Sequence, residues 1–286
     1  MVQIVCTGKG AAMAMTKMVA QVQAFAKKET PQVLYLGTPS HDRDDIFHIQ
    51  TKGFQNANCP IKRMDLSEIP NSRSKSSATG NDKIVYPTRE EMRKSVDEAD
   101  VIMVSGGNTL YAMNRWKQLG MDEILTRASV QTNDDDEYAG PVFCGGSAGA
   151  ISWFQYGNSD SMNPMTFLNP PEDLSEEEKI DWDYIKIDGL NMVQALCVPH
   201  YDAMQHNGIV RSKASERMVI EDIESGYPCI GIDEEAAFVV DGDIVRVLEG
   251  KSGSRCYKKV YNTVTQALDV LVMEEGGEYS LSGLGL

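Results

Sequence analysis

Short, almost uninterrupted apolar runs alternate with longer amphipathic ones through the first half of the chain. "VQIVCTG" from Val2, "QVLYLGT" from Gln32, "VIMVSGG" from Val101 and "PVFCGG" from Pro141 carry next to no polar side chains before their final turns. Between them lie "AAMAMTKMVAQVQAFAKK", "DDIFHIQTKGFQN", "TREEMRKSVDEAD" and "NTLYAMNRWKQLGMDEILTRASV", with apolar residues at helical spacing and a break near Gly120. Thr88 is the expected N-cap of the third, followed by acidic residues in the first turn. A strand without a polar face has to be covered on both sides, and strands joined by helices run parallel. The pattern therefore predicts an α/β fold with a mostly parallel sheet and helices on both faces. "CPIKRMDLS" offers a further strand. Near the C-terminus "PCIGIDEEAAFVVDGDIVRVLEG" predicts a β-hairpin turning at Asp241-Gly242, and "SRCYKKVYN" one more strand extending the sheet. No repeat or boundary interrupts the pattern, so one domain over residues 1–286 is expected. The serine-rich stretch 67–83 and the acidic, proline-opened stretch 169–183 read as surface insertions.

Charge narrows the partners. A formal net charge of −15 repels phosphate backbones and anionic lipid, so neither nucleic acid nor membrane is expected. No apolar run reaches the ~18–20 residues of a membrane span. The opening residues lack the pattern of a signal peptide, which makes the cytoplasm the expected compartment. The six cysteines show no C-x2-C spacing and the four histidines are dispersed, so no metal is expected. Cys6, Cys144, Cys197 and Cys229 sit in apolar runs and read as structural thiols.

The chemistry concentrates around Ser147. Gly145-Gly146-Ser147-Ala148-Gly149 follows a predicted strand and precedes "AISWF", the setting in which G-x-S-x-G marks a nucleophile elbow. The bland alternative is a serine capping a helix after a glycine turn. A serine hydroxyl needs a base. His200, in "ALCVPHYD", directly follows an apolar run and should lie at the carboxyl edge of the sheet, where open α/β sheets build their sites. His206 is the fallback; His41 and His48 fall in a stretch expected to be an exposed helix. For the carboxylate that orients the base, Asp160 in "GNSDSM" and Asp202 are the candidates. A second strand-Gly-Gly turn, Gly106-Gly107-Asn108, would bring the Gly107 N–H beside that of Ala148 as a two-donor oxyanion hole.

"GGNTLYAMNRWKQLG", "GPVFCGGSAGA", "SDSM" and "VPHYD", taken together, resemble the peptidase E-like serine peptidases, the family of aspartyl dipeptidase and cyanophycinase. The resemblance implies a class I glutamine amidotransferase-like fold and cofactor-free hydrolysis of short, dipeptide-like substrates. It places the nucleophile on Ser147, the histidine on His200, the acid on Asp160 and the oxyanion glycine on Gly107. Asn108 follows as a substrate-side polar group. A preference for an aspartyl residue would call for a cation, for which Arg211 and Arg217 are the candidates. A small peptide is the expected partner, with a second copy in a homodimer as a candidate. Two rivals remain: an amidotransferase-like binding domain without turnover, and an α/β-hydrolase esterase, which would carry its histidine near the C-terminus, where this chain has none after His206.

Overall fold

The runs lacking a polar face form strands, and all four are buried over almost their whole length. They are β1 (Gln3–Thr7), β2 (Val33–Leu36), β4 (Val101–Val104) and β5 (Val142–Gly146). The computed structural model describes residues 2–68, 86–133, 137–204, 208–221 and 226–286. With β3 (Ile61–Met64), these strands make a parallel array in the order β1-β5-β4-β2-β3. The predicted hairpin is present as β10 (Ala236–Asp241) and β11 (Ile244–Glu249), turning through Gly242 at φ 64°. It joins β1 antiparallel, and β14 (Glu278–Ser280) closes an eight-stranded sheet.

The remaining strands form a second sheet rather than an extension of the first. Its order is β13-β12-β9-β8-β6-β7. These are β6 (Phe154–Ser159), β7 (Ile185–Asp188), β8 (Val193–Val198), β9 (Cys229–Ile232), β12 (Cys256–Asn262) and β13 (Ala267–Met273). The pairs β6–β8 and β8–β9 are parallel and the others antiparallel. The physical reason is pairing capacity. β5 already has β1 and β4 on its two sides, so strands that follow it cannot join beside it. The expectation of α/β with parallel pairing and helices on both faces holds; the single sheet gives way to two.

The helices are α1 (Thr16–Ala26), α2 (Asp44–Asn56), α3 (Arg89–Asp97), α4 (Thr109–Leu119), α5 (Met121–Ala128), α6 (Ala148–Ile151), α7 (Glu176–Ile180), α8 (Arg211–Glu221) and α9 (Leu281–Leu284). Thr88 caps α3 in a capping box with Glu91, and Gly120, at φ 72°, separates α4 from α5. One face of the first sheet packs on α1 and α2 through Val5, Tyr35, Met103, Met18 and Phe54. The other face shares one apolar cluster with α3–α5 and the second sheet; Ile4, Phe143 and Trp116 sit there beside Ala195, Cys197 and Ile230. The outer side of the second sheet packs on α8 through Leu196, Val198 and Met218.

Insertion 169–183 carries α7, whose cap Ser175 pairs with Glu178. Most of insertion 67–83, and His206, lie outside the described residues. All six cysteines are free and buried. Among the described residues no helix is long and apolar enough to cross a membrane.

Candidate active site

Register brings the predicted pieces to one edge. β1 runs parallel to β5 with Thr7 opposite Gly146, and β4 runs parallel to β5 with Val104 opposite Gly145. The turns after β1, β4 and β5 therefore meet. Ser147 stands at φ 57°, ψ −119°, a conformation that costs a non-glycine residue about 1–3 kcal/mol and is held only by its surroundings. Its N–H donates to Thr7 O at 3.2 Å. The glycines around it are required by close backbone approach. A Cβ on Gly146 would lie 2.4 Å from Lys9 O, and one on Gly149 would lie 2.3 Å from Val104 O.

His200 follows β8 and Pro199, and its N–H donates to Gly8 O at 3.2 Å. Its Nε2 lies 3.1 Å from Ser147 Oγ. Its Nδ1 lies 2.7 Å from Oε1 of Glu234, in the turn between β9 and β10. A carboxylate only accepts, so Nδ1 carries the proton and donates it to Glu234; the Nε2 lone pair is then left to accept the Ser147 hydroxyl. That hydrogen bond from His200 holds the Glu234 carboxyl below its ordinary pKa against the opposing effect of burial, and the charge of Lys9 adds to it. Glu234 is fixed at three further points. Its N–H donates to Asp202 Oδ1 at 2.8 Å, its carbonyl accepts the Lys9 N–H at 3.1 Å, and Lys9 Nζ lies 3.6 Å from its second carboxylate oxygen. Residues 7–9 thus bind the serine, the histidine and the glutamate through one bend.

The structure brings Ser147 and His200 together and places Glu234, not Asp160, on the ring. Asp160 Oδ2 is 3.4 Å from Nη1 of the fully buried Arg211. Arg211 also donates to Asn158 Oδ1 at 3.1 Å and to the Asn158 carbonyl, and stacks on Tyr184. A buried guanidinium needs a counter-charge nearby, and that requirement claims Asp160. Arg217 is exposed and pairs with Glu221 at 3.4 Å. Neither arginine lines the pocket in front of Ser147. Asn108 caps α4, accepting the Tyr111 N–H, while its amide donates to Ser161 O and Thr166 Oγ1, both at 3.0 Å. It therefore pins the 161–166 segment. His41 is buried in the turn before α2, where Nε2 donates to Thr166 O at 3.0 Å, and is not on the exposed helix the sequence suggested; His48 is exposed.

Gly107 lines the pocket at φ 141°, and a Cβ there would lie 2.1 Å from Pro39 O. Ala148 is the first residue of α6, so its N–H has no acceptor within the helix. The pocket measures about 790 Å³; Gly10, Pro39, His41, Gln50, Gly106 and Phe167 line it together with Ser147 and His200. Gln50 Oε1 accepts the Gly106 N–H at 3.0 Å. Among the described residues no cluster of His, Cys, Asp and Glu could hold a metal ion.

Glu234 left a signal in the sequence. It lies just past a strand, as His200 does, and β8 and β9 are parallel neighbours with Val198 opposite Gly231. Two residues beyond the ends of adjacent parallel strands are brought together by register alone.

A family model for Peptidase family S51 matches residues 4–248. The chain belongs to peptidase family S51. Family membership makes it a serine peptidase. A curated relative in the family is an uncharacterized peptidase, YgaJ, of Bacillus subtilis (strain 168). It is 26% identical over 234 residues, covering 82% of this chain and 80% of the relative. The fold is shared with a crystal structure of a peptidase from an acI-B1 Actinobacterium, at TM-score 0.63 and 14% identity over 98% of this chain and 96% of that one. A Listeria monocytogenes EGD-e structure assigned to peptidase E aligns at TM-score 0.55 and 17% identity, over 87% and 98%.

Proposed function

We propose that this S51 peptidase hydrolyses short, dipeptide-like substrates through an acyl-enzyme, with Ser147 as nucleophile, His200 as general base and acid, and Glu234 as the orienting carboxylate. The observation that carries this is the continuous hydrogen-bonded line from Ser147 Oγ to His200 (3.1 Å) and on to Glu234 (2.7 Å) at the mouth of the pocket.

Ser147 Oγ attacks the scissile carbonyl as its proton passes to His200 Nε2. The imidazolium that forms is held by the Glu234 carboxylate, which stays ionised. The peptide oxygen, now an oxyanion, is taken up by the N–H groups of Gly107 and Ala148. His200 returns the proton to the leaving amine, and the same groups then run the steps with water to release the acid. The positive φ of Ser147 lifts its hydroxyl out of the strand and turns the start of α6 toward the site. A pocket of about 790 Å³ falls in the size range of small-ligand sites and suits a short peptide. The arginines that the resemblance suggested for an aspartyl preference are engaged elsewhere, with Asp160 and Glu221.

The test is labelling with a fluorophosphonate. Wild type should label on Ser147, with the signal lost in Ser147→Ala and His200→Ala. Labelling of His200→Ala at the wild-type rate would refute the mechanism.

A further inference from the structure

The pocket in front of Ser147 is chemically lopsided. Pro39, Ile46, Met165, Phe167, Leu168 and Pro170 form an apolar wall. Met165 and Phe167 are 52% and 39% exposed, although the segment that carries them is tied down by His41 and Asn108. Large apolar side chains held open to water around a concavity are the usual mark of a surface that a ligand covers.

Among the described lining residues no cation is left without a balancing carboxylate. Arg43 is the only arginine or lysine among the described lining residues. It grips Asp45 with two hydrogen bonds, Nε at 3.0 Å and Nη2 at 2.6 Å. Asp44, also in the lining, pairs with Arg63 at 2.5 Å. Burial lowers the pKa of His41, which favours the neutral ring near pH 7. An acidic ligand side chain would meet Arg43 with its charge already balanced by Asp45 and would sit beside Asp44, in a chain of net charge −15. An apolar side chain would only displace water.

We infer that the site selects short peptides with an apolar residue at the scissile carbonyl and discriminates against aspartyl and glutamyl residues there. This rests on Ser147 marking the position of the scissile carbonyl.

The experiment separates binding from turnover. Leu-Leu, Phe-Ala, Asp-Leu and Glu-Ala are titrated calorimetrically into Ser147→Ala, and the same dipeptides are given to the wild type. Covering part of a Leu or Phe side chain should favour the apolar ligands by about tenfold or more in Kd, and in kcat/KM. Phe167→Ser and Met165→Ser, each made in the Ser147→Ala background, should narrow that ratio. Equal or tighter binding of Asp-Leu, no binding by any of the four, or a ratio unmoved by Phe167→Ser overturns the inference. Failure of the fluorophosphonate to label wild-type Ser147 is a separate result: it removes the peptidase mechanism, while the binding ratio still decides the chemistry of the pocket.

Discussion

Replacing Glu234 by glutamine tests the site most sharply, because the side chain keeps its shape and loses only its charge. As Ser147 gives up its proton, a positive ring forms with its Nδ1 2.7 Å from a carboxylate oxygen, putting the charge centres about 4 Å apart. Their attraction is ~1 kcal/mol with the screening of water and ~4 kcal/mol at the effective dielectric of a protein surface. The Glu234 side chain is 34% exposed, so a value between these, about 2–3 kcal/mol, applies; this converts to a roughly 30- to 150-fold loss of rate. A glutamine can also turn its NH2 toward Nδ1 and stabilise the wrong tautomer, which adds to the loss. The assay is the rate constant for fluorophosphonate labelling of Ser147, which needs no knowledge of the natural substrate. Asp160→Asn is the contrasting variant. It should label at close to the wild-type rate per folded molecule. It should also lose about 3 kcal/mol of stability to urea, because the fully buried Arg211 is left without its counter-charge. A slow Asp160→Asn beside an unimpaired Glu234→Gln would refute the assignment.

Three further outcomes follow from the geometry. Lys9→Met removes an ammonium 3.6 Å from Glu234, so the carboxyl takes up its proton at a higher pH; the acid limb of the labelling rate should move to higher pH, Lys9→Arg should restore it, and an unmoved limb would speak against the role of Lys9. Burial pushes the Asp233 carboxyl up to about 6 from an ordinary 3.8, so the folded state keeps a proton that the unfolded chain has released. Stability from this group therefore falls as pH rises from about 4 to 6, by at most ~3 kcal/mol, and urea melts should show Asp233→Asn gaining on wild type across that window and not above it. Gly149→Ala puts a Cβ 2.3 Å from Val104 O, so a loss of about 1–3 kcal/mol and a lower Tm are expected; an unchanged melting curve would contradict the packing of the elbow.

The parallel half of the fold was legible because burial on both faces writes itself into composition: β2, β4 and β5 carry only apolar residues and glycine, and β1 has polar side chains only at its two ends, Gln3 and Thr7. β6 was not. "FQYGNS" includes buried Asn158 and Ser159, polar residues tolerated because Arg211 and Ser161 supply their hydrogen bonds from elsewhere in the chain. The second sheet was hidden for a related reason, since strand partners depend on which edges are free and a local pattern does not record that. At the site, Ser147 and His200 were readable from the turns that hold them. For the carboxylate, Asp160 near the serine and Asp202 beside the histidine were the candidates. The carboxylate that meets the ring, Glu234, lies 34 residues beyond the histidine, and the parallel pairing of β8 and β9 makes the two neighbours.

The bend at residues 7–9 also imposes an order in time. Its first partner, the serine, belongs to strands complete by residue 146, whereas the glutamate's turn closes only when β9 and β10 have both been made. Glu234 is thus the last of the three groups to be synthesised, and trimming the first nine residues would remove the backbone partner of all three at once.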